Sequence, residues 1–101
     1  MPNPIVDFPW KYKHVVADTP IRTGPGVLHT IVVNGLTTAG DATIYDNIAE
    51  AGANIIGILH LDTTTSKSVQ PITLLYDCEF TTGLYIGFDG TLAADLTVTY
   101  V

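Results

Sequence analysis

From Lys11 to the last residue, short β-rich runs alternate with Gly, Pro, Asp or Asn stops at intervals of about ten residues. A helix needs a longer uninterrupted stretch with apolar residues three and four apart, and the chain offers almost none. The nearest candidate, DNIAEAGANIIGIL, contains Gly52 and Gly57 and ends in isoleucines, which favours a turn followed by a strand. The punctuation therefore predicts an all-β chain of about eight strands, folded as an antiparallel β-sandwich or jelly-roll-like barrel.

Individual runs carry faces. In KYKHVVAD (residues 11 to 18), Tyr12, His14 and Val16 oppose Lys11, Lys13 and Val15. Asp18-Thr19-Pro20 interrupts the run, a short piece from Ile21 to Thr23 follows, and Gly24-Pro25-Gly26 forms a turn. VLHTIVVN (27 to 34) is apolar on both faces, which predicts a strand covered on both sides. A loop is expected from Gly35 to Gly40, then a strand from Ala42 to Tyr45. In NIIGILHLD (54 to 62) the alternation groups Ile56, Ile58 and His60 against Ile55, Gly57, Leu59 and Leu61. After the polar stretch TTTSKS, PITLLYDCEF (71 to 80) sets Ile72, Leu74, Tyr76, Cys78 and Phe80 on one face, with Asp77 and Glu79 toward water on the other. Leu84 to Phe88 is a strand ended by an Asp89-Gly90 turn, and DLTVTYV closes the chain with Leu96, Val98 and Tyr100 inward.

The first ten residues differ. Pro2, Pro4 and Pro9 rule out a central strand, so residues 1 to 10 read as an extended arm before a single sandwich domain at 11 to 101. The arm carries Ile5, Phe8 and Trp10, which with Tyr12 form the expected partner-binding set. No basic leader or long apolar run marks a signal peptide or membrane span, and the expectation is a chain made in the cytoplasm without secretion.

Composition sharpens the expected role. Only 14% of the 101 residues are charged while 47% are hydrophobic, more apolar content than one small core readily absorbs. The excess predicts association with the chain's own copies. A net charge of −6 with four basic residues supplies no stripe for nucleic acid and disfavours anionic membranes.

Chemistry-bearing residues give no catalytic pattern. Asp18, Asp41, Asp46, Asp62, Asp89 and Asp95 fall at predicted strand ends or turns, where carboxylates cap backbone donors. Asp41 and Asp46 thus read as punctuation of a hairpin. His14, His29 and His60 are widely separated and lack metal-ligand spacing, and no calcium-loop run is present, so no metal or cofactor is expected. Cys78 shares a face with Leu74 and Phe80 and reads as a small core hydrophobe. No catalytic residue emerges, and the chain is expected not to be an enzyme. The five tyrosines and Trp10 are packing residues by default, with a sugar-stacking face as the alternative.

Several segments together resemble small all-β virion proteins of tailed bacteriophages. PIRTGPGVLHTIVVN holds a G-x-L-x-x-I-x-V strand, GDATIYDN a T-I-Y-D strand, CEFTTGLY an F-x-x-G-L-Y turn and strand, and LTVTY a closing T-V-x-Y. The similarity covers about residues 15 to 101 and brings no catalytic residue. It implies a head decoration, cement or head-fibre protein on the capsid exterior, assembled as a trimer and contacting the major capsid protein. A tail-associated or glycan-binding module is the alternative that the same resemblance implies.

Overall fold

The computed structural model describes residues 10–49, 54–61 and 72–101. They form eight strands and no helix: β1 (Lys11–Val15), β2 (Thr19–Thr23), β3 (Gly26–Thr38), β4 (Gly40–Tyr45), β5 (Ile55–Leu61), β6 (Ile72–Phe80), β7 (Gly83–Phe88) and β8 (Ala93–Tyr100). The predicted arm, apart from Trp10, lies outside the described residues, as do Gly52, Asp62 and the TTTSKS stretch.

The strands divide into two antiparallel four-stranded sheets, β1-β8-β3-β6 and β2-β7-β4-β5. The pairs β1·β8, β2·β7, β3·β6 and β4·β5 are nested, as in one long hairpin whose tip lies between β4 and β5. The β3·β8 and β4·β7 pairings then join neighbouring parts of that ribbon. Among the described strands only β4 and β5 are both consecutive in the chain and adjacent in a sheet. The Gly24-Pro25 and Asp89-Gly90 turns carry the chain from one sheet to the other. A glycine at position 24, with φ +96°, is what its turn requires.

Both sheets feed one core. Val15, Leu28, Ile31, Val33, Phe80, Leu96 and Val98 come from the first sheet, and Ile44, Leu84 and Ile86 from the second, all with almost no exposed surface. Burying one such side chain contributes about 1.5–3 kcal/mol before the cost of ordering the chain. Tyr76 of β6 reaches toward β5, where a Cβ added at Gly57 would lie 3.1 Å from the Tyr76 hydroxyl. Gly57 thus leaves room for an aromatic ring between the sheets.

β3 departs most from its sequence pattern. Its buried residues are Leu28, Ile31, Val33 and Leu36, a spacing that strict alternation forbids. Register shifts against β8 fall between Leu28 and Thr30, Val33 and Gly35, and Leu36 and Thr38, so His29, Asn34 and Thr37 are extra residues. Each such bulge resets the alternation and bends the strand. A strand that reads as apolar on both faces therefore sends four large residues to one core, and it runs on through the expected 35–40 loop. β5 is corrected in the same way. A shift between Ile44 and Tyr45 leaves Ile56 unpaired, which puts Ile55 outward with Ile58 and His60 and turns Ile56 toward the core.

Candidate functional site

The face of the first sheet turned away from the core gathers the described part of the predicted partner-binding set. Pairing aligns Tyr12, Thr99, Thr30 and Leu75 in one row across β1, β8, β3 and β6, with His14, Thr97, Val32 and Thr73 in the next. Tyr12 is 75% and Leu75 68% exposed, so both ends of the first row project into solvent. Between them the Thr30 and Thr99 hydroxyls lie 2.5 Å apart, and the Thr30 N–H donates to Thr99 Oγ1 at 3.1 Å. Such cross-strand threonine pairs stiffen a sheet without closing its surface to a partner.

Trp10 sits at the edge of this face. Its ring stacks on His29 with centroids 4.1 Å apart and planes 9° from parallel. The His29 Nδ1 in turn lies 2.5 Å from Asp77 Oδ1. Asp77 adopts φ +47°, at the point where β6 has one residue more than β3 between the Leu28–Cys78 and Thr30–Leu75 partners. This bulge brings the Asp77 carboxylate to the histidine, where the sequence pattern gave two acids simply facing water. Trp10 is therefore held on its own molecule, still 37% exposed. Ile5 and Phe8 lie outside the described residues.

At the other side of the face, His14 Nε2 lies 2.6 Å from Asp95 Oδ1, and the Asn34 amide donates to Asp95 Oδ1 and to Thr97 Oγ1. Hydrogen bonds from Asn34, then from His14, hold the Asp95 carboxyl below its ordinary value. Asp95 lies inside β8, not at a strand end as its sequence position suggests. The bulge at Asn34 aims the amide across the strand, so the cluster depends on a feature of register. His60 and Asp41 form a third pair at 2.9 Å, on the outward side of the second sheet. All three histidines of the chain are thus joined to aspartates 81, 48 and 19 residues away, in an arrangement no local spacing reveals.

Three further acids, Asp18, Asp46 and Asp89, serve the backbone. Asp46 Oδ1 accepts the N–H groups of Thr82 at 2.8 Å, Thr81 at 3.0 Å and Gly83 at 3.4 Å, while Oδ2 also accepts from Thr81. Burial works to raise its carboxyl, but the hydrogen bonds from Thr82, Thr81 and Gly83 prevail and leave it lowered. Asp89 accepts from the Asp41, Thr91 and Leu92 N–H groups, the first of which contributes most to lowering its carboxyl. Asp18 accepts from Phe88 N–H at 2.7 Å.

Among the described residues no group of three or more His, Cys, Asp or Glu is placed to hold a metal ion. Two depressions of about 400 and 530 Å³, both bordered by Val16, open to solvent at the end of the molecule where β1 leads toward β2 and β7 toward β8. Cys78 packs partly buried against the core, and burial, then the nearby Asp77 and Asp46 charges, push its thiol up, away from the reactive thiolate. The outer face of the first sheet is hydroxyl-rich and carries Trp10 and Tyr12 toward one edge. Comparison with protein-family models, curated proteins and solved structures finds no match to this chain.

Proposed function

We propose that this protein is a structural virion component of a tailed phage, a decoration or cement protein that binds the capsid exterior as an oligomer and stabilises the head. The observation that carries the reading is the nested pairing of β1·β8, β2·β7, β3·β6 and β4·β5 across two four-stranded sheets. Rolling up such a ribbon yields a jelly-roll sandwich, an architecture recurrent in viral capsid and lectin domains. The resemblance of its strand motifs to phage virion proteins points the same way.

In this reading the outer face of the first sheet, with Trp10 and Tyr12 and the arm bearing Ile5 and Phe8, lies against the major capsid protein. Assembly as an oligomer on the lattice repeats a modest contact many times, and attachment strengthens through avidity. The acidic surface, −6 in net charge, keeps free copies apart before assembly and suits a basic patch on the shell. The work is mechanical: no cofactor, nucleic acid or membrane takes part, and the chain is not an enzyme. Synthesis takes place in the host cytoplasm.

The test is addition of purified protein to undecorated capsids. Saturable binding at a fixed number of copies per capsid, weakened by Trp10→Ala with Tyr12→Ala and by deletion of residues 1 to 9, is the expected result. Absence of binding to any undecorated head sinks the proposal. A second reading, a glycan-binding module of a phage tail, draws on Tyr12 lying in the row beside the His14, Asn34 and Asp95 cluster. Sugar binding in a glycan array, lost with Tyr12→Ala and accompanied by no capsid attachment, would favour it.

A further inference from the structure

A sheet edge invites another strand unless something blunts it, and among the described residues the four edges of the two sheets are unequal. On β1, Lys11 and Lys13 pair with Tyr100 and Val98, which places two charges on the core-facing side of an edge strand. β2 holds Pro20 and a register shift between Pro20 and Arg22. β6 carries the left-handed bulge at Asp77 and exposes Asp77 and Glu79. β5, IIGILHL, has no charged side chain and no proline, and its irregularity at Ile56 leaves Gly57 to Leu61 in regular register with β4. Its outward residues Ile55 and Ile58 are 47% and 44% exposed, and its one titratable group, His60, is engaged with Asp41 of its own molecule.

We propose that β5 is a self-association edge, pairing antiparallel with β5 of a second copy about a twofold axis. Charge selects the occupant. Two β6 edges would set Asp77 and Glu79 against their own copies, and two β1 edges would oppose Lys11 and Lys13, whereas two β5 strands oppose no Asp, Glu, Lys or Arg. On a chain of net charge −6, an edge free of acid is where a like-charged copy approaches at least cost. A twofold contact is self-complementary by construction, so one apolar, β-branched strand suffices for both sides. The paired β5 strands join the two β2-β7-β4-β5 sheets into one continuous sheet and draw Ile55 and Ile58 of both copies together, leaving the outer face of the first sheet free.

Sedimentation of the full chain over a range of concentrations tests this, together with hydrogen exchange read strand by strand. The expected result is a reversible dimer whose Gly57–Leu61 amides slow as concentration rises. Ile58→Lys, at a half-exposed site, should keep the β spectrum and weaken dimerisation about tenfold or more by setting two lysines near the axis. Leu75→Lys, on the opposite sheet, should leave dimerisation unchanged. A monomer at the highest soluble concentration, a closed trimer, or a dimer indifferent to Ile58→Lys would each overturn the proposal. Capsid attachment is scored separately with the Ile58→Lys protein, so failure of the β5 contact and failure of the virion reading are distinguishable.

Discussion

Asp46 and the three aspartates paired with histidine use the same functional group in opposite ways. Asp46 follows β4 directly and collects the N–H groups of Thr81, Thr82 and Gly83, so it fixes the turn that carries the chain from β6 in one sheet to β7 in the other. Asp41, Asp77 and Asp95 lie within strands and join side chain to side chain on open faces. The first arrangement satisfies backbone donors that have no strand partner; the second decorates a ladder that is already complete. An acid matters to the fold when it replaces backbone hydrogen bonds, and contributes little when it only adds to them.

The contrast is most directly broken by Asp46→Ala. Its loss strands three donors, of which the Gly83 N–H belongs to a buried residue, and the expected cost is about 1–2 kcal/mol in denaturant unfolding. A cost no larger than that of a surface ion pair would erase the distinction. Acid should reveal the same asymmetry. The carboxyls of Asp46, Asp89 and Asp95 are held below the ordinary value near 3.9, so their stabilisation is present above that pH and is lost as pH falls through their folded values. The melting temperature should therefore stay level down to about pH 5 and fall below about pH 4, with a shallower fall in Asp46→Asn. His60→Ala sits at the weak end. That pair is well exposed, with side-chain accessibilities of 75% and 45%, and its removal should cost less than about 1 kcal/mol in the same unfolding measurement. Asp41→Asn should behave alike, since the Asp41 backbone bonds to Asp89 remain. A larger loss from either would show that outer-face pairs hold edge strands in place.

Much of this molecule was legible without a structure. Most strand positions follow from alternation and stops, though β3 runs on through the expected 35–40 loop, and the inward residues of β6 and β8 follow from period two, because neither strand's core-facing alternation is broken. Faces on β3 and β5 were not legible, because a bulge moves every later side chain to the other side and the sequence carries no mark of which residue bulges. His29 and Asp77, or His14 and Asp95, could not be joined in advance, since register across separate strands brings them together. Trp10 reads as an arm residue free to reach a partner; its stacking on His29 depends on where β1 lands beside β8.

The sequence alone determined that the chain is all-β, roughly where most of its strands lie, and that Asp18, Asp46 and Asp89 stand just beyond strand ends. These are consequences of local sterics and solvation: glycine and proline dihedrals, aspartate bonding to nearby backbone, and apolar residues seeking one side of a pleat. Only the tertiary structure decided which turns cross between sheets and which strands neighbour one another. β1 can pair with β8 or another strand at similar local cost, and what selects the partner is the simultaneous burial of Leu28, Ile31, Val98 and Ile86 in one shared core, a collective quantity that no window of residues contains.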